Sequence, residues 1–133
     1  EYIRILEYRQ DALEILKCFD FYISPSLSEG LPISILEAVA SNVPTIATEI
    51  TGNKDILPNS VFGILATPNS PESLFKAIIK MAQLNSSELA IITHNALNRV
   101  KNNFSVKEML NKTTLTYNQV LNKKTRLKSN CFN

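Results

Sequence analysis

The strongest constraint in this sequence is an alternation of two periods. Short apolar runs at residues 3–6, 21–24, 43–48 and 63–66 are separated by stretches with helical spacing. Parallel strands need crossover connections, and helices usually provide them, so this alternation predicts a parallel sheet covered by helices. Residues 11–18 read as a short helix, with Leu13, Ile15 and Leu16 as its apolar side. Pro25 stops the second run, and the third begins at or just after Pro44, where a missing N–H is tolerated. Residues 32–40 read as a helix that is apolar nearly all round and therefore buried. Its first residue is Pro32, at a position whose N–H would have no partner in any case.

The second half reads as helical. Ser70-Pro71-Glu72 combines an N-cap, a first-turn proline and a first-turn acid. Leu74, Ala77, Ile78 and Met81 then repeat at helical spacing to about Leu84. Ser86 or Ser87 is expected to cap the next helix, through Leu89, Ile92, Ala96 and Val100. Ser105 and Glu108 fit a capping box, and Val106, Leu110, Tyr117 and Leu121 form the stripe of a last helix.

The 133 residues suffice for one domain with a single core. Apolar residues make up 44% and charged residues 20%, which fits a globular chain and excludes a disordered one. The net charge of +2 is too small to argue for nucleic acid. It is unevenly placed. Four of the 14 basic residues, Lys123, Lys124, Arg126 and Lys128, follow Leu121, and no acid follows Glu108. Residues 1–122 therefore carry −2 and residues 123–133 carry +4. We read 1–122 as the domain and 123–133 as a basic, frayed tail, with contact to an anionic membrane surface as the sharper alternative. Cys18 and Cys131 read as free thiols in a reducing compartment. No apolar stretch approaches a membrane span of ~20 residues. A cytoplasmic location is expected, peripheral at the inner membrane face if the tail binds there.

Most chemistry motifs are missing. Gly30, Gly52 and Gly63 are too far apart for a dinucleotide or P-loop fingerprint. His94 has no second ligand nearby, and Asp11, Asp20 and Asp55 are scattered, so no metal site is expected. One constellation remains, from Ser24 through Glu29, Gly30 and Pro32 to Glu37. There a strand ends, a short polar loop follows and an apolar helix begins. Ligands of open parallel sheets sit at the carboxyl ends of strands. A helix N-terminus offers unpaired N–H groups and a positive dipole end to a phosphate. Gly30 would let a ligand approach the backbone closely. Glu37 is the one charged residue of its helix, and ribose hydroxyls could be its partners. The plainer reading has Glu29 capping or pairing near the helix start and Glu37 pairing with a lysine at the rim.

Glu29 and Glu37, eight apart, resemble the E-x7-E signature of retaining glycosyltransferases of the GT-B fold. The surrounding blocks widen the resemblance to the donor-binding, C-terminal domain of family 4 (group 1) glycosyltransferases. They are Phe21-Tyr22-Ile23-Ser24-Pro25-Ser26, Glu29-Gly30-Leu31-Pro32, Leu36-Glu37-Ala38, Asn42-Val43-Pro44-Thr45-Ile46-Ala47-Thr48, Gly52, Phe62-Gly63-Ile64-Leu65 and Phe104-Ser105. The similarity covers roughly residues 3–121.

The resemblance implies a Rossmann-like, partial C-terminal domain of a GT-B enzyme with a helical second half. It implies no cofactor, a nucleoside-diphosphate sugar as donor, and transfer to an acceptor hydroxyl with configuration kept. Glu37 matches the residue that holds the ribose hydroxyls, and Glu29 the one near the transferred sugar. Gly30, Leu31, Ile33 and Ser34 match backbone groups at the sugar and diphosphate, and Tyr8 and Arg9 the base pocket. An acceptor-binding domain and a phosphate-neutralising basic pair would lie upstream. The expectation is a piece of a longer transferase, inactive as this chain alone. The alternatives are a stand-alone, non-catalytic sugar-nucleotide or interaction module, and an unrelated flavodoxin-like binding domain. Exposed edge and apolar surface should favour self-association.

Overall fold

The computed structural model describes residues 2–129, with side chains through residue 122. The chain divides into two compact units, Glu1–Val100 and Lys101–Asn133.

In the first unit, strands β1 (Tyr22–Ser24), β2 (Thr45–Thr48) and β3 (Ile64–Ala66) form a parallel sheet in the order β1-β2-β3. Helices α1 (Ala12–Leu16), α2 (Ile33–Ala40), α3 (Thr51–Ile56) and α4 (Pro71–Gln83) alternate with the strands. Helix α5 (Ser86–Asn103) follows. The second unit is built on α6 (Val106–Ser129).

The register places Ile23 beside Ile46 and Ile46 beside Ile64. Side chains alternate across a strand, so these three share one face. They pack with Ala77 and Met81 of α4, which covers that face. Tyr22 on β1 packs with Leu16, Ala38 and Val43 on the other side. All four residues of β2 are buried, as expected of a central parallel strand sandwiched by helices.

Local chemistry sets the junctions. Helix α2 is closed by Ser41 as C-cap and then by Asn42, which sits in the left-handed region with φ 61°. The Asn42 N–H donates to Val39 O and the Val43 N–H to Ala38 O, a paired closure that turns the chain into β2. Ser70 Oγ accepts the Ser73 N–H at the start of α4, as the sequence predicts. At α3, Arg99 of α5 closes the carboxyl end. Its Nε donates to Ile56 O at 3.0 Å and its Nη2 to Asp55 O at 2.8 Å, with the guanidinium over the Phe62 ring. A cation at a helix C-terminus satisfies orphan carbonyls and suits the dipole.

Several expectations are corrected. Residues 3–6 are not a strand, and Tyr2, Ile3, Ile5 and Leu6 are exposed. An apolar run becomes a strand only where a neighbour completes its ladder, and none does so among the described residues. Pro32 is the N-cap of α2 rather than its first helical residue, with ψ at 101°. Helix α2 is not buried all round, since Ile33, Ser34, Glu37 and Ala40 are exposed along one side. The cap of α5 is Asn85, not Ser86 or Ser87. Asn85 Oδ1 accepts from the Ser87 and Glu88 N–H groups, and Glu88 Oε2 accepts the Asn85 N–H in return. Helix α3 has no counterpart in the sequence reading. The expected α6 stripe of Val106, Leu110, Tyr117 and Leu121 is exposed, not buried.

Half of the Ser105–Glu108 box is present: Ser105 Oγ accepts the Glu108 N–H, while the Glu108 carboxylate pairs with Lys112 at 3.6 Å rather than returning to Ser105. The α6 backbone continues to Ser129, while the basic side chains of residues 123–128 and Cys131 lie outside the described residues. No described helix is long and apolar enough to cross a membrane.

Candidate functional site

The site is built where β1 ends. Ser24 is buried, and the chain then runs over the sheet edge as a loop from Pro25 to Leu31 before α2 begins. Pro32 has no N–H to give and no side-chain cap. The Ile35 and Leu36 N–H groups both return to Pro32 O, at 3.2 and 3.3 Å. The N–H groups of Ile33 and Ser34 are left without a protein acceptor among the described residues. Two unpaired donors at the positive end of an eight-residue helix form an anion site in physical terms.

Approach to these donors is open. A Cβ built on Gly30 meets nothing within 4 Å, and Gly30 has no positive φ. Its lack of a side chain therefore leaves free space in front of the backbone and serves no turn. The exposed side of α2 starts at Ile33 and Ser34 and continues one turn later with Glu37. Four residues of helix amount to a rise of ~6 Å. Glu37 forms no ion pair among the described residues, so the rim lysine of the plainer reading is not there. Glu29 does not cap α2 either. Its Oε1 accepts from Ser26 Oγ at 2.8 Å, within the loop.

The loop itself is held from the neighbouring strand end, by residues that sequence reasoning did not single out for the site. Thr48 Oγ1, at the end of β2, donates to Ser26 O. Asn53, wholly buried in α3, donates from Nδ2 to Thr48 O at 2.8 Å and to Thr48 Oγ1 at 3.1 Å. A carbonyl can only accept, so the amide NH2 must face Thr48, which leaves Asn53 Oδ1 buried without a partner among the described residues. Such an orphan costs about 1–3 kcal/mol. Gly52 lies against the loop backbone. A Cβ there would come within 2.5 Å of Gly30 O and 2.6 Å of Glu29 O. Thr48 reaches across 22 residues to Ser26, a separation with no periodic signal in sequence. Gly52 alone offered a cue, as an isolated glycine following a strand.

Glu29, Gly30, Leu31, Ile33, Ser34 and Glu37 thus lie on one strand–loop–helix segment. Tyr8 and Arg9 do not join them through any hydrogen bond among the described residues. Tyr8 is exposed, and the two residues line a separate cavity of about 440 Å³ with Leu6, Ala12, Ile15 and Phe19. Arg9 grips Asp11 with two bonds, Nε to Oδ1 at 2.8 Å and Nη2 to Oδ2 at 2.7 Å. That hydrogen bonding holds the Asp11 carboxyl below its ordinary range and raises the Arg9 guanidinium above its own. A lowered carboxyl keeps its ion pair above its ordinary pKa and loses it as pH falls through the lowered value. A second cavity of about 300 Å³ opens beside the loop, lined by Pro25, Leu27, Thr48, Ser70, Pro71 and Leu74. Among the described residues, no group of three or more His, Cys, Asp or Glu could hold a metal ion.

Comparison with known proteins gives the same answer by sequence and by shape. Residues 1–83 match the sequence profile described as glycosyl transferases group 1. An Escherichia coli UDP-Gal:alpha-D-GlcNAc-diphosphoundecaprenol alpha-1,3-galactosyltransferase is 32% identical over 120 residues, covering 90% of this chain and 30% of that enzyme. An uncharacterised glycosyltransferase of Methanocaldococcus jannaschii is 30% identical over 114 residues, covering 85% of this chain and 29% of that protein. This chain thus spans under a third of the length of these relatives. Among solved structures, a Rickettsia africae glycosyltransferase superimposes with a TM-score of 0.81 at 29% identity, over 89% of this chain and 32% of its own. Anabaena HepE, solved in complex with UDP-glucose, shares the fold with a TM-score of 0.74 at 23% identity, over 84% of this chain and 31% of its own.

Proposed function

The chain belongs to the glycosyl transferases group 1 family, and from that membership we propose that it forms the donor-binding part of a retaining glycosyltransferase. The donor is a nucleoside-diphosphate sugar, and the sugar passes to an acceptor hydroxyl. The observation that carries this reading is the start of α2. There the Ile33 and Ser34 N–H groups have no protein acceptor among the described residues, Gly30 in the preceding loop leaves open space, and Glu37, one turn on, forms no ion pair among the described residues.

Each part has a physical task. As the bond from the anomeric carbon to the diphosphate breaks, negative charge develops on the leaving phosphate oxygen. The fixed N–H donors and dipole of α2 stabilise that charge without reorganising. Glu37, one turn further along the exposed side, accepts hydrogen bonds from the ribose hydroxyls, and a carboxylate is the stronger acceptor for them. Glu29, held by Ser26 Oγ, faces the transferred sugar. Gly30 and Leu31 bring backbone close to it, and Tyr8 and Arg9 line the base side. The curated relative from Escherichia coli uses a UDP-sugar by its name, and UDP-glucose is bound in the Anabaena structure, which supports a uridine nucleotide as the first probe.

Calorimetric titration of the 133-residue chain with UDP-glucose tests the reading. Glu37→Gln is expected to weaken binding by about tenfold to a hundredfold, because hydrogen bonds to a charged group contribute about 1.5–3 kcal/mol each. The exposed position of Glu37 leaves thermal stability unchanged in the same variant. Equal affinity in the two proteins would remove the ribose role. A wild-type chain that binds neither UDP nor UDP-glucose would return it to the interaction-module reading.

A further inference from the structure

We propose that Thr48 and Asn53 are positioning residues that set the loop carrying Glu29 and Gly30, so that the end of β2 and the start of α3 determine the shape of the site on β1. The inference rests on the donor reading only for its consequence in binding.

The connection is continuous. Asn53, wholly buried, gives Nδ2 to both Thr48 O and Thr48 Oγ1. With its acceptor side engaged by Asn53, the Thr48 hydroxyl directs its own proton to Ser26 O. Ser26 in turn donates its hydroxyl to Glu29 Oε1 at 2.8 Å. Gly52, the residue before Asn53, presses its Cα side against the Glu29 and Gly30 carbonyls. The loop is thus tied at Ser26 and backed at Glu29–Gly30 by one short element.

Two observations favour positioning over simple packing. An apolar residue at Asn53 would fill the same volume without a buried, unpartnered Oδ1. Moreover, loop residues 27–31 make no backbone hydrogen bond of their own to the sheet among the described residues. Their placement therefore depends on the Thr48–Ser26 bond and on the close approach of Gly52.

The test is amide NMR on the full 133-residue chain, comparing Thr48→Val, which keeps the shape, with Thr48→Ser, which keeps the hydroxyl. Thr48→Val is expected to move the amide shifts of residues 26–31 and drop their order parameters from a rigid value of ~0.85 to below ~0.6. Thr48→Ser is expected to restore both, with strands β1 and β3 unchanged. Should Thr48→Val not fold, Asn53→Ala removes the two bonds that orient Thr48 and is expected to loosen the same six residues to a smaller degree. Unchanged shifts and order parameters at 26–31 in the folded variant would overturn the proposal. So would a loosening that Thr48→Ser fails to restore. UDP-glucose affinity, read on the same samples, is expected to fall about tenfold in Thr48→Val. A wild-type chain that binds no UDP-glucose, yet shows the restored loop pattern, would sink the donor reading and leave the positioning role standing.

Discussion

Gly52→Ala is expected to destabilise the first unit by about 3 kcal/mol, the upper part of the usual range for overpacking. The added Cβ would stand 2.5 Å from Gly30 O, 2.6 Å from Glu29 O and 3.0 Å from Glu29 C. All three are backbone atoms, so no side chain can swing aside to make room. Gly52 is buried in the first turn of α3, whose six residues are anchored at the other end by Arg99. Either α3 retreats from the sheet end or the loop lifts off it. In both cases the Thr48–Ser26 and Asn53–Thr48 bonds are stretched. For a domain of this size the loss corresponds to a Tm lower by roughly 10 °C. Thermal unfolding followed by far-UV circular dichroism reads it. A Tm within a degree or two of the wild type would show that the Gly52–Gly30 approach is not as close as described.

Gly30→Val should behave in the opposite way, since Gly52 backs onto the Gly30 carbonyl while the Cα of Gly30 itself looks into open space. No atom lies within 4 Å of a Cβ on Gly30, and its φ is not positive. A branched side chain there meets neither a clash nor backbone strain, and Tm is expected to stay within the ~0.5 kcal/mol usual for surface positions. UDP-glucose affinity is expected to fall by a hundredfold or more, about 2.7 kcal/mol. The valine would occupy the space through which the donor reaches the Ile33 and Ser34 N–H groups. Calorimetry on the folded variant measures this directly. Wild-type affinity in Gly30→Val would mean that the ligand does not pass over Gly30, and the placement of the sugar at Glu29 would fall with it.

Much of the fold was legible because local rules and tertiary demands agreed. The runs at 21–24, 43–48 and 63–66 became β1, β2 and β3 because each is apolar and flanked by breakers, and each found a parallel neighbour. Ser70-Pro71-Glu72 opened α4 because a hydroxyl cap and a first-turn proline act within one turn. The run at 3–6 had the same apolar character and failed as a strand, since a ladder needs a partner that composition cannot supply. Helix α3 escaped notice for the converse reason. Thr-Gly-Asn-Lys-Asp has poor helix propensity, and its helix is held by Arg99 and by packing of Gly52, Asn53 and Ile56.

The candidate site divides the same way. By itself the amino-acid sequence determined that a strand, an open polar loop and a helix would follow one another, with Glu29, Gly30 and Glu37 in fixed order along them. Those are properties of neighbours in the chain, set by apolar period, by proline and by glycine. Only the tertiary structure decided which side of α2 would face outward, leaving Glu37 exposed at the rim without an ion pair among the described residues. It also decided that Thr48, Gly52 and Asn53, some 20 residues downstream of Glu29, would hold the loop from the next strand. Hydrogen bonds and close approaches between adjacent parallel strands join residues a whole crossover apart, and no local period in the sequence encodes that distance.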